Sequence, residues 1–173
     1  MKSKSKDGDP NVELQHLFVD QLCDILWAEK QLVKALPKMA KAARDAKLQK
    51  AFTKHLAETE NQITRLGDIF TGLGLSPRTK KCMAMEGLLK EADELVEGYQ
   101  DSSALDAALI AAAQKVEHYE IATYGTLRAF AECLGHTEAV KLLSATLLEE
   151  SKADEALTGV ALAQHGMQLC GPG

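Results

Sequence analysis

Apolar residues recur at spacings of three and four along most of the chain, a pattern typical of helices that bury one face. Five segments show it. The pattern predicts long helices after Asp9-Pro10, after Asp45, from about Ser103 to Gly135 and after Thr137, and a shorter one over 83–99. Asp and Thr cap helix N-termini, and Gly follows helix ends. Pro37 lies inside the first segment, where we expect it to kink or interrupt the helix.

The lengths of the loops predict the topology. Short loops join the first two long helices and the last two, and such loops make antiparallel neighbours. A connector over residues 71–102 separates the two hairpins, so the second and third long helices should be parallel. We therefore predict an all-α, ferritin-like four-helix bundle whose long crossover carries one short extra helix on the outside. The predicted organisation is a flexible N-terminal tail (1–10), one bundle domain (11–165) and a C-terminal tail (166–173).

Composition excludes several classes of function. The 173 residues carry a net charge of −5 with Lys and Arg scattered, so no basic face for nucleic acid is expected. An apolar run of about 18 residues is absent, as is a secretory signal, which predicts no membrane span and a cytoplasmic protein. The cysteines stand far apart and are expected to act as small hydrophobes: Cys23, Cys82, Cys133 and Cys170.

Acidic residues interrupt the apolar seams near the middle of three long helices. They are Glu29 in the first, Glu117 and Glu120 in the third, and Glu150 and Asp154 in the fourth. A buried, unpaired carboxylate costs several kcal/mol, and like charges close together raise this cost. The seams contain no Lys or Arg near these positions. The acids are therefore either partly protonated and hydrogen-bonded, or neutralised by cations.

The second long helix has two neighbouring stripes. The more apolar one passes through Leu56 and Ile63, and beside it run His55, Glu58 and Gln62. A modest rotation of the helix would turn Glu58 inward to join the other acids. Two roles then remain open for His55: it is either a metal ligand or a histidine bonded to a ligand carboxylate.

A carboxylate di-metal site is built from acidic residues in the middle of four helices that meet on one axis. Oxygen ligands with at most one imidazole suit iron or manganese, whereas magnesium keeps more water. The sequence thus predicts two metal ions, iron or manganese. The predicted ligands are Glu29, Glu58, Glu117, Glu120, Glu150 and Asp154, with His55 as a further candidate.

Two other residues lie close to these acids in the sequence. Tyr124 lies one turn beyond Glu120 and faces inward, either as core or with its hydroxyl bonded to a ligand carboxylate. It is also the one candidate for a catalytic residue. His118 directly follows Glu117, so it points away and is expected near the surface.

Several blocks of the sequence resemble the YciF/YciE-type stress proteins. The similarity runs over about residues 11–165 and includes KHLAETENQITRL, KVEHYEIATYGTLRAFAECLG and the connector motif KCMAMEGLLKEA. This resemblance implies a ferritin-like bundle with a di-metal centre, a link to bacterial stress responses and a homodimer, but no particular reaction. The wider ferritin-like Glu-x-x-His signature is missing, because Asn61 follows Glu58 and Ala153 follows Glu150 at that spacing.

Two hypotheses of function follow. The first is a di-metal oxidoreductase that reduces peroxide or dioxygen or oxidises Fe(II), with Tyr124 supplying a proton or hydrogen bond. The second is a metal-braced bundle that binds a partner without turnover. Trp27 motivates the second, since it lies opposite Glu29 and needs cover from the connector helix or a second subunit. No assembly surface of a storage cage is recognisable.

Overall fold

The structure is a computed structural model that describes the backbone of residues 10–169 and the side chains of residues 10–163. Its described part consists of helices and connecting loops, without a β-strand, so the all-α prediction is confirmed. The helices are α1 (Pro10–Ala42), α2 (Ala46–Gly72), α3 (Met83–Tyr99), α4 (Leu105–Cys133) and α5 (Thr137–Leu169). The four long helices form the bundle, with α1 packed on α2 and α4, and α5 packed on the same two helices.

The loop between α1 and α2 fixes the direction of α4. The backbone N–H groups of Arg44 and Asp45, just before α2, both donate to the carboxylate of Asp106 at 2.8 Å. Because Asp106 lies in the first turn of α4, helices α2 and α4 begin at the same end of the bundle and run parallel. The predicted ferritin-like crossover is therefore confirmed. At the other end, His136 in the α4–α5 loop hydrogen-bonds Gln15 of α1 at 2.6 Å.

The connector crosses the length of the bundle along its outside. Helix α3 has 17 residues and is about 25 Å long, and it packs on α4 and α1. Cys82 caps it, because its Sγ accepts the N–H of Met85 at 3.3 Å. Trp27 of α1 is half-buried and packs against the hydrophobic core.

The capping hydrogen bonds and glycine conformations in the structure agree with the predicted ends of the helices. The Asp45 side chain accepts the N–H groups of Lys47 and Leu48, at 2.7 and 3.0 Å, as an N-cap does. Gly74 and Gly135 follow α2 and α4 with φ values of 70° and 74°, a conformation that costs glycine little.

Helices α1 and α5 each continue past a predicted break. Helix α1 continues through Pro37 to Ala42, since Leu36 and Met39 on either side stay buried and hold this last stretch in place. Helix α1 begins at Pro10, the first helical position that the Asp9-Pro10 pair predicts, and residues 1–9 of the predicted tail lie outside the described residues. Helix α5 extends to Leu169, beyond the predicted end at residue 165, and residues 170–173 lie outside the described part.

A layer of polar side chains interrupts the apolar core of the bundle. The buried polar residues are Glu29, His55, Thr59, Gln62, Glu117, Glu120, Thr146 and Glu150. Each seam is otherwise aliphatic or aromatic, so this layer is where chemistry is concentrated. Within the described residues, no helix combines the length and apolar character that crossing a lipid bilayer requires.

Candidate metal centre

Four side chains from three helices converge in the polar layer. They are His55 of α2, Glu117 and Glu120 of α4, and Glu150 of α5, and all four are buried. One ligand atom of each lies within 4.8 Å of the others. The spacing of three between Glu117 and Glu120 puts both on one face of α4. Three predicted ligands and the additional candidate His55 are thus brought together.

The His55 ring lies between carboxylates. Its Nε2 atom is 3.3 Å from Glu117 Oε1 and 3.7 Å from Glu150 Oε2, and its Nδ1 atom is 3.9 Å from Glu58 Oε2. Neither ring nitrogen makes a hydrogen bond of acceptable geometry to a described residue. An imidazole without a bonded partner in a buried site has a nitrogen free to bind metal.

The first helix contributes Glu29, so all four long helices reach the polar layer. Glu29 is fully buried, lies beside Glu120 and accepts a hydrogen bond from the Tyr124 hydroxyl. Of the two roles considered for Tyr124, the structure therefore shows the bond to a carboxylate. The ring of Tyr124 is at the same time one of the largest fully buried side chains.

Glu58 and Asp154 lie at the edge of the layer. The Glu58 side chain is 21% exposed, is paired with Lys54 and approaches the cluster through His55. The Asp154 side chain is 20% exposed and accepts a hydrogen bond from Gln114 Nε2 at 3.2 Å. His118, exposed as expected, lies 3.4 Å from Asp154. The structure thus keeps Asp154 outside the group of four, because it lies one turn beyond Glu150 towards the solvent-facing side of α5.

The layer is marked by buried polar atoms that the described residues leave without a hydrogen bond. Nine such atoms belong to Glu29, His55, Glu58, Gln62, Glu117, Glu120 and Glu150. Glu120 contributes both of its carboxylate oxygens. Each unpaired buried polar group costs about 1–3 kcal/mol, so nine together indicate that a ligand completes this layer.

The same layer shifts the acidity of its carboxyl groups. Burial, and then the charge of neighbouring acids, raises the pKa of Glu29, Glu117 and Glu120 well above the usual value. Burial also raises the pKa of Glu150 and of the Tyr124 hydroxyl. Glu58 differs, because the adjacent His55 ring and then the Lys54 ammonium group lower its pKa to about 2. The carboxyl groups at the centre of the layer are thus stabilised either by protonation or by bound cations.

Two neighbouring groups were not predicted from the sequence. Gln62 of α2 is fully buried and donates through Nε2 to Glu150 and, at 3.2 Å, to Glu149. Arg65 holds Glu149 with two hydrogen bonds, 2.6 and 2.7 Å long. Gln62 stands on the stripe of His55 and Glu58, and this spacing is the signal that could have identified it.

These residues could hold a metal ion. Carboxylate oxygens and one imidazole are donors that iron and manganese accept, and their unpaired atoms lie in one buried layer. Hydrogen bonds from Tyr124 and Gln62 orient two of the carboxylates, as residues around metal ligands commonly do.

Comparison with known proteins now places the chain. Residues 13–169 match the family described as "Domain of unknown function (DUF892)". The chain belongs to this family. Protein YciF of Escherichia coli (strain K12) is 49% identical over 150 residues, which cover 86% of this chain and 90% of YciF. The resemblance to the YciF-type stress proteins is therefore confirmed.

Three solved structures share the fold of this chain. The crystal structure of the E. coli stress protein YciF matches with a TM-score of 0.83 and 49% identity, over 86% of this chain and 94% of YciF. YcfI of Rhodopseudomonas palustris, described as a candidate structural protein, matches with a TM-score of 0.83 and 46% identity, over 90% of this chain and 98% of YcfI. A protein of Xanthomonas campestris pv. campestris, 20% identical, has the same fold with a TM-score of 0.67 over 90% and 99%.

Proposed function

We propose that this stress-protein relative is a di-metal carboxylate protein that holds two iron or manganese ions and acts as an oxidoreductase on a small oxidant or on Fe(II). One observation carries the proposal: nine buried nitrogen and oxygen atoms without hydrogen bonds lie in a single layer of the bundle. Apolar side chains surround that layer on both sides, so bulk water reaches only its edge, at Glu58.

The charge of the layer supports two ions rather than one. Five acids, Glu29, Glu58, Glu117, Glu120 and Glu150, face one neutral or cationic imidazole. Two divalent ions would offset about four of those negative charges, whereas a single ion would leave several carboxylates unpaired in a low dielectric.

Each residue has a part in this proposal. His55, Glu117, Glu120 and Glu150 would hold the ions, and Glu29 and Glu58 would complete the set from either side. Tyr124 orients Glu29, and Gln62 orients Glu150. When bound, two ions that each lose one electron supply the two electrons that, with two protons, convert hydrogen peroxide into two water molecules.

The second candidate function is a metal-braced bundle without turnover. The donors come from all four long helices, so bound ions would tie the helices together regardless of any reaction. In that case the protein would act through its surface on a partner, as a homodimer or with another protein. The two candidates share the metal and differ in catalysis.

Metal analysis of protein loaded with Fe(II) or Mn(II) tests the shared part. We expect two ions per chain, and Glu120→Ala should bind fewer, whereas Glu132→Ala, an exposed acid on the same helix, should bind two. None or one in the wild type contradicts the proposal. Peroxide and dioxygen consumption by the loaded protein then separates the candidates. Turnover that Glu120→Ala loses supports the oxidoreductase, and intact binding without turnover supports the bracing role.

A further inference from the structure

A small cavity of about 90 Å³ lies between α2 and α5, next to the polar layer. His55 and Glu117 reach it from the buried side. Lys54 and Lys152, both exposed, line it on the side of the solvent. The cavity thus connects the candidate ligands with the surface of the bundle.

The size of this cavity limits what can use it. Pockets for organic ligands usually measure about 300–1,000 Å³, whereas 90 Å³ leaves room for a few water molecules. Phe52 and Leu157 form apolar walls and are themselves buried. A diatomic molecule or hydrogen peroxide fits such a passage, whereas a divalent ion must first shed most of its shell of water and therefore enters more slowly.

The charged side chains at the mouth of the cavity also favour small neutral molecules over cations. The Lys54 ammonium group pairs with Glu58, which is the acid nearest to the solvent. Lys152 makes no hydrogen bond or ion pair with any residue of the described part, so its charge is not cancelled at the mouth. A mouth with a free positive charge repels cations and leaves neutral molecules unaffected.

A much larger cavity, about 790 Å³, opens near the start of α1 and the end of α2, and it contains none of the candidate ligands. Of these two cavities in the described part, the small passage is the one that reaches the candidate ligands.

We propose that the passage between α2 and α5 is the access route of the centre and that the unpaired charge of Lys152 makes it selective for small neutral molecules. The inference rests on the proposed function and deepens it: the substrate class is a small neutral oxidant, peroxide or dioxygen, rather than Fe(II) or an organic compound.

The test compares a cation and a neutral molecule as probes. Co(II) uptake by metal-free protein is followed by absorbance, and nitric oxide binding to the Fe(II)-loaded protein is followed by stopped flow. Lys152→Glu should raise the rate of Co(II) uptake about tenfold at low salt, and less at high salt. The nitric oxide rate should change by no more than about twofold, since a neutral molecule does not sense the charge. Lys38→Glu, which makes the same charge change at an exposed site on α1, should alter neither rate.

A second variant tests the route itself. Ala156 lines the cavity and is exposed, so Ala156→Trp should cover the mouth and slow both probes at least about tenfold without changing the number of ions bound. Should Ala156→Trp fail to fold, Ala153→Leu on the same wall replaces it. Unchanged rates in a folded plug variant would overturn the access route while leaving the proposed function intact. Protein that takes up no metal at all would overturn the proposed function instead.

Discussion

Two polar regions of this bundle serve different purposes. At the junction of the two hairpins, the Arg44 guanidinium donates to the carbonyl oxygens of Ser102 and Gln100, at 2.8 and 2.6 Å. The Asp106 carboxylate beside them accepts two backbone N–H groups. Charge and hydrogen bonds are thus complemented within the chain, and the junction is architectural.

The polar layer in the middle has the opposite character. Its acids carry the same sign, and the guanidinium of Arg65 on α2 is already held by Glu149. Nine buried atoms there lack a hydrogen bond to a described residue. A polar group that the fold satisfies marks structure, whereas a cluster that the fold leaves unsatisfied marks a place where something else binds.

The largest expected difference between the two regions is in the pH dependence of stability. Burial raises the pKa of Glu29, Glu117, Glu120 and Glu150, so the metal-free folded state keeps protons that the unfolded state loses above about pH 4.3. The folded state then binds more protons, and the free energy of unfolding falls as pH rises. Each group contributes at most about 1.4 kcal/mol per pH unit until its own raised pKa is reached.

Chemical denaturation of metal-free protein between about pH 4.5 and 7 measures this slope. Glu58 acts in the opposite sense, because its pKa is lowered to about 2, and its contribution is lost only as the pH falls below 4.5. Metal binds the ionised ligands, so the loaded protein should gain stability over the same range. Metal-free protein that also gains stability from pH 4.5 to 7 would contradict the burial of like charges.

Sequence periodicity predicted the fold and most of the layer for one physical reason. A helix repeats every 3.6 residues, so an acid such as Glu29 or Glu120 in an apolar seam must lie inside the bundle. The crossover followed from the length of the connector. The caps at Asp45 and the glycines Gly74 and Gly135 followed from local backbone chemistry, which needs no tertiary information.

What the sequence could not resolve depends on small rotations of the helices. Asp154 lies one turn beyond Glu150 on α5, where its side chain is 20% exposed and meets Gln114 instead of the other acids. The sequence favoured Glu58 as a ligand and left the role of His55 open, yet the structure buries His55 and leaves Glu58 at the edge. Rotations of this size are set by packing against neighbouring helices, and a single sequence does not report them.

The second largest change in stability is expected at the junction of the two hairpins. Asp106→Ala removes the acceptor of two backbone N–H groups, and we expect the free energy of unfolding to fall by about 2–3 kcal/mol. Because this region is complete without metal, the loss should be the same in the metal-free and the loaded protein. Denaturation of both forms measures it, with Asp101→Ala in the preceding loop as the control of equal charge. A loss confined to one form would show that the two regions are coupled.

The smallest expected effect, and the most direct comparison of the two regions, comes from Glu117→Gln. Glutamine keeps the size of the side chain and removes one charge from the layer, next to Glu150 and 3.3 Å from His55. In the unfolded chain at pH 7 the Glu117 carboxyl group is ionised. The metal-free folded protein must either protonate this group or keep it ionised beside other acids, and both states cost free energy.

Glu117→Gln should therefore stabilise the metal-free protein by about 1–2 kcal/mol at pH 7, the reverse of what removing a charge does at the junction. It should also weaken metal binding, because an amide oxygen is a poorer ligand than a carboxylate. The exposed control Glu132→Gln on the same helix should change stability by less than about 0.5 kcal/mol. Paired melts decide the sign. A less stable metal-free Glu117→Gln would mean that His55 and Glu117 already satisfy each other, so this position would belong with the junction among the regions that the fold completes by itself.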